Sequence, residues 1–219
     1  VYPPLRRLSR QEGAVNEAER LLARGDLDGA LDRASRAVES TAALLGARAA
    51  LVEAAVAFRR ARLDASLQSL ARAVGLLGNA ARNAAQPNVV VDACRAAARR
   101  LRATVLAAAG RADEALAEVE ALGDAAGVLP FRVSLYHLVH RRDFDAALRL
   151  ARSRSLDLGT DRHDELVCDL LEARTQEPSS PSVAALRAEL AGDEVLRRWA
   201  ATILPPELTA VLGPAPAPA

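Results

Sequence analysis

The sequence predicts an all-α protein of stacked antiparallel helical hairpins. Three observations carry this. Hydrophobic residues make up 51% of the 219, yet aromatic residues only 3%, so the apolar content is mostly Ala, Leu and Val. Ala and Leu are the strongest helix formers, and strand formers such as Ile, Thr, Tyr and Phe are scarce. Apolar residues also recur at helical spacing, and a short Asp-bearing segment returns four times along the chain.

Residues 1–9 are short and Pro-rich, a poor helix, and are expected as a lead-in. From Arg10 a helical period begins, with Ala14, Ala18, Leu21 and Leu22 on one face. Gly25-Asp26 interrupts it, since Gly suits the position just past a helix end and Asp the start of the next. A second apolar face follows with Leu27, Ala30, Leu31, Ala34, Ala37 and Val38. Two helices joined by so short a turn form a hairpin.

The turn recurs. The four segments are Gly25-Asp26-Leu27-Asp28-Gly29-Ala30-Leu31, the run from Ala61 to Leu67, the run from Gly110 to Leu116, and the run from Arg142 to Leu148. Each has Asp at its fourth place, a small residue at its sixth and Leu at its seventh. The turn needs Gly, or a residue that tolerates its geometry. The Asp falls in the first turn of the second helix, where the dipole favours negative charge. The small residues, Ala30, Ser66, Ala115 and Ala147, let two helices approach closely, and the Leu fills the adjoining groove.

These segments resemble the tetratricopeptide repeat, whose Gly-x-(aromatic or aliphatic)-(Asp/Glu)-x-Ala stretch joins helix A to helix B. Ala18 matches a small position of helix A in the first copy, and Ala37 and Ala73 match one of helix B. The resemblance covers roughly residues 10–155. It departs from the family at the strong aromatic positions, where Ala14 and Leu21 stand, and at the closing Pro, where Ala42 stands. In the third copy Arg99 and Arg102 occupy places the family makes apolar. The small residues are spaced 36, 49 and 32 apart, against a steady 34 in the family. The long step implies extended helices at about 63–84 and 88–109 around Gln86-Pro87-Asn88.

The resemblance implies a right-handed superhelix, a TPR-like α-solenoid of about four hairpins over 10–155. Residues 156–212 are expected to add capping helices: one over 161–175, a loop at Glu177–Pro181, and two more to Ile203 before Pro205-Pro206. The Pro-Ala run at 213–219 cannot hold a helix and is expected to be a disordered end.

Composition narrows function. The 29 basic residues, all Arg, balance 28 acidic ones, which argues against a nucleic-acid surface. Two cysteines, Cys94 and Cys168, do not make a disulfide scaffold and fit a reducing compartment. The N-terminus lacks the apolar core of a secretory signal, and no segment reaches the length of a membrane span. A cytoplasmic home is expected, with a periplasmic one open because residue 1 is Val and a signal removed upstream would not be seen.

No constellation points to catalysis, a metal or a cofactor. His137 and His140 could share a helix face and bind a metal, but no third ligand falls at diagnostic spacing. His163 and Cys168 are five apart, on different faces of one helix, and Cys168 lies in an apolar stripe, so a buried thiol is expected. The glycines are dispersed at helix ends and form no phosphate loop.

The expected function is a protein–protein interaction scaffold or adaptor, binding a partner peptide or helix in a concave groove lined by the A helices. The alternative is a regulatory repeat module of a bacterial signalling or transcription system. The groove residues are expected to be Arg48, Arg59, Arg100, Arg132, Tyr136 and His140, within a face that also includes Asn16, Glu19, Leu51, Ala55 and Thr104. Arg and Tyr dominate interface energetics, so the partner is expected to carry acidic and apolar groups. The chaperone-binding carboxylate clamp of the family uses Lys and Asn at set places; without Lys, that specialisation is not implied.

Overall fold

The structure, a computed structural model, describes residues 3–38, 42–82, 88–153 and 161–213, with 3–8 and 38 by backbone alone. Among the described residues it is all-helical: twelve α-helices, two 3-10 turns and no strand. The Pro-Ala run beyond Gly213 and most of the expected break at 86–88 lie outside the described residues.

The chain divides into two compact units, 1–105 and 106–219. The first contains α1 (Pro3–Ala23), α2 (Leu27–Val38), α3 (Ala43–Arg59), α4 (Leu63–Arg82) and most of α5 (Val89–Ala108). The second follows with α6 (Ala112–Leu122), a 3-10 turn at Gly123–Ala126, α7 (Leu129–His140) and α8 (Phe144–Ser153). It ends with α9 (Arg162–Ala173), α10 (Pro181–Gly192), α11 (Glu194–Ile203), α12 (Pro206–Thr209) and a 3-10 turn at Ala210–Leu212. One expectation changes. Helix α1 already begins at Pro3 rather than after a lead-in, because Pro is tolerated in the first helical turn, where no N–H is needed.

The four recurring segments form the same turn. Gly25, Ala61, Gly110 and Arg142, each first in its segment, all have left-handed φ, of 82°, 57°, 74° and 61°. In each, that residue's N–H donates three residues back, to Leu22, Phe58, Ala107 and Val139. The next N–H donates five back, to Leu21, Ala57, Leu106 and Leu138, at 2.8–3.0 Å. This is the Schellman closure of a helix. The residue that completes it also starts the next helix: the carbonyls of Asp26, Arg62, Arg111 and Asp143 accept from Ala30, Ser66, Ala115 and Ala147. Asp26 and Asp143 further cap with their side chains, accepting from the N–H of Gly29 and Ala146. No residue is spent on a loop between the helices.

The small residue of each segment is fully buried, at 0% exposure for Ala30, Ser66, Ala115 and Ala147. Of the leucines that follow, Leu148 is buried and Leu31 and Leu67 half-buried; Leu116 is exposed, against expectation. The second copy carries Ser rather than Ala because its hydroxyl donates to the Ala54 carbonyl at 2.8 Å, leaving no buried polar atom unmatched.

In the first unit α1 packs on α2 and on α3, and α3 on α4. The α1–α3 core is mostly alanine and valine: Val15, Ala18, Ala30, Ala34, Ala37, Ala49, Val52 and Val56. The second core uses larger groups. Leu135, Tyr136, Leu166, Leu170, Trp199 and Leu208 are buried there, and the Trp199 ring meets Tyr136 edge-on at 6.3 Å.

Candidate functional site

The six expected groove residues divide between the units, and each is described within its own. In the first, Arg48 near the start of α3 reaches back to α1. Its Nε and Nη2 donate to the Glu19 carboxylate at 2.9 and 2.6 Å, and Nη2 also donates to the Asn16 side-chain oxygen at 2.8 Å. The hydrogen bond from Glu19 raises the Arg48 pKa against the opposing effect of burial. Arg59, at the end of α3, donates to the Leu22 carbonyl at 2.8 Å, in the last turn of α1. Arg48, Leu51, Ala55 and Arg59 retain partial exposure on α3, beside Asn16 and Glu19 of α1. Arg100 is exposed on α5, one turn before the buried Thr104, whose hydroxyl donates to the Arg100 carbonyl.

Cys94 is half-buried on α5 against Ala47, Leu77, Val91 and Ala98. Burial pushes its thiol up.

In the second unit the expectation is corrected. Tyr136 is not on a groove but wholly buried, because its ring packs against Trp199. Its hydroxyl has no hydrogen-bond partner among the described residues, and burial pushes its pKa well up. Arg132 lies inside as well. Its Nε and Nη2 grip Asp164 of α9 at 2.5–2.9 Å, with the Asp164 side chain 1% exposed. Burial leaves the Asp164 carboxyl above its ordinary value, whereas the charge and hydrogen bonds of Asp164 hold the Arg132 guanidinium above its own.

His163 continues this cluster. Its Nδ1 lies 3.1 Å from Asp161, the capping residue of α9, and its ring 4.6 Å from Trp199. Burial opposes ionisation of Asp161, but the His163 hydrogen bond and the His163 and Arg132 charges outweigh it and hold the carboxyl below the usual range. Cys168 is buried on the same helix. His140 is half-buried at the end of α7, with Nε2 2.9 Å from the carbonyl of Ala108, the last residue of α5. Burial lowers its pKa. Among the described residues no group of three or more His, Cys, Asp or Glu is placed to hold a metal ion. None of the described helices is long and apolar enough to cross a membrane.

Arg59 and His140 occupy equivalent places, each two residues before the left-handed residue of its turn. Each bonds a backbone carbonyl at the end of the preceding hairpin's first helix, Arg59 from 37 and His140 from 32 residues away. Arg48 bonds Glu19 across 29 residues, and Arg60 bonds Asp28 across 32. Side chains some thirty residues apart thus join neighbouring hairpins. The signal was available in the sequence as the equivalence of positions 59 and 140.

Comparison with known proteins finds no match: no protein-family model, curated protein or solved structure matches this chain.

Proposed function

We propose that the chain is a helical-repeat scaffold, TPR-like in its hairpin design, that holds a partner protein through the faces of its first helices. The observation that carries this reading is the Schellman turn made four times, at Gly25, Ala61, Gly110 and Arg142, with the same hydrogen bonds. What repeats is a backbone path and a buried small residue; the outward side chains differ from copy to copy. A fold that repeats its skeleton and varies its surface is how stacked hairpins build a binding wall.

The surface that supports the reading best is the α1–α3 face of the first unit. Ala55 lies between Arg48 and Arg59 at helical spacing, and a partner carboxylate would compete with Glu19 for the Arg48 fork. Arg132 and Tyr136 belong to the core and leave this reading.

The test places a photo-crosslinking residue at position 55 of the full chain. A single specific adduct, competed away by excess crosslinker-free chain but not by excess crosslinker-free Ala55→Glu chain, supports the reading. An adduct spectrum identical to that from a crosslinker on the outer side of α4 rules the face out.

A further inference from the structure

Outside that face, the second unit has a cleft of about 360 Å³ bounded by α10, α11 and the final 3-10 turn. Its walls combine apolar groups with an excess of positive charge. Ala191, Ala201 and Leu212 supply apolar surface over the buried Leu190, and three arginines, Arg187, Arg197 and Arg198, surround it. Only one carboxylate, Glu194, joins the lining. It is shared, bonding Arg197 at 2.6 Å and Arg198 at 3.3 Å. Arg187 is held by carbonyls alone, donating to Val211 at 2.8 Å and Pro178 at 3.2 Å; no carboxylate pairs with it among the described residues. Three guanidiniums therefore face one carboxylate around an apolar floor. Arg187 serves a second purpose, since its bond to Val211 holds the 3-10 turn that forms one wall.

We propose that this cleft seats a short acidic–apolar segment of a partner protein, one carboxylate joining Arg198 and Arg197 while a neighbouring aliphatic side chain enters between Leu190 and Leu212. Charge decides the occupant. A carboxylate brought to this rim meets two guanidiniums sharing one partner, and a bidentate Arg–carboxylate pair is the stronger for being charge-assisted. An aliphatic side chain beside it removes apolar wall from water. A basic peptide would add repulsion to the existing excess. The inference rests on the binding-module reading but concerns a different surface, so the two fail separately.

The probe is a fluorescein-labelled Ala-Glu-Leu-Glu-Leu-Ala peptide titrated with the full chain and followed by anisotropy. Saturable binding is expected. Arg198, 71% exposed, can be reversed without disturbing the core, and Arg198→Glu should weaken binding on the order of tenfold or more. Ala201→Phe, which fills the cleft from an exposed position, should abolish binding while circular dichroism stays unchanged. The Ala55→Glu chain should bind the peptide as the unaltered one does. The proposal is overturned if the unaltered chain does not bind, if Arg198→Glu or Ala201→Phe binds undiminished, or if Ala55→Glu abolishes binding. Equal binding of a peptide with Lys for Glu, or of a single-stranded oligonucleotide, would likewise overturn it, since either makes the region an unselective patch.

Discussion

Arg132 on α7 and Asp164 on α9 form a two-point ion pair whose shortest distance is 2.5 Å, with side chains 12% and 1% exposed. It joins two helices through residues 32 apart in sequence. Taking two charges out of water is costly, and the pairing offsets that cost only while both partners stay. Asp164→Asn or Arg132→Met alone should therefore lower stability by about 3–5 kcal/mol, measured by urea denaturation. The double variant Arg132→Met with Asp164→Leu should recover most of the loss. A double variant as unstable as the sum of the singles would show that the pair is not the source.

The left-handed turn positions make opposite predictions by residue type. Ala61 and Arg142 carry a side chain where φ is 57° and 61°. Left-handed backbone costs an L-residue roughly 1–2 kcal/mol, part of which Gly gives back through greater unfolded-state freedom. Ala61→Gly and Arg142→Gly should each stabilise by about 0.5–1 kcal/mol. Gly25→Ala and Gly110→Ala should destabilise by about 1 kcal/mol. Gly110→Ala adds no clash, since its Cβ would meet the His140 ring at an ordinary 3.5 Å. Thermal melts of the four variants check the signs.

The small residue of each hairpin has no room to grow. Ala30 and Ala147 are buried to 0% at the start of their helices. Leu at either place should cost about 1–3 kcal/mol through overpacking, although Leu and Ala are comparable helix formers. Ser66→Ala nearly keeps the volume and loses one buried hydrogen bond, so about 1 kcal/mol is expected, the Ala54 carbonyl keeping only its place in the α3 helix. Denaturant midpoints separate the two effects.

His140 predicts a pH dependence. Burial lowers its pKa from the ordinary 6.5; the Ala108 carbonyl pulls the other way, and His137 adds to the lowering. Once the pH falls below about 6.5 the unfolded chain takes up a proton that the folded chain does not. This contribution is therefore fully present above 6.5 and is lost on acidification towards the lowered folded value. The stability difference between the unaltered chain and His140→Gln should shrink over that window. A difference that stays flat from pH 7.5 to 5 would be incompatible with a half-buried ring held neutral.

The hairpin turns were legible because they are local. A helix stop, a left-handed residue, an Asp and a small residue all lie within seven places, and chain geometry alone demands them. Ala61 and Arg142 were found by register with Gly25 and Gly110 although neither is Gly. Helix α1 beginning at Pro3 was missed because Pro reads as a breaker everywhere but in the first turn. Arg132 and Tyr136 were misplaced for another reason. Position 132 or 136 on a helix defines which neighbours share its face, not what covers that face.

The sequence by itself determined the helical class, the four Schellman turns and the buried small residue after each, because those depend on backbone geometry within one or two helical turns. Only the tertiary structure decided that Arg48, Arg59, Arg132 and His140 fasten one hairpin to the next, and that Tyr136 goes inside against Trp199. Arg and His have long or flexible polar ends that are satisfied equally by water, a partner or a carbonyl. Which of these they meet depends on where a segment some thirty residues away comes to rest, and no local pattern carries that distance.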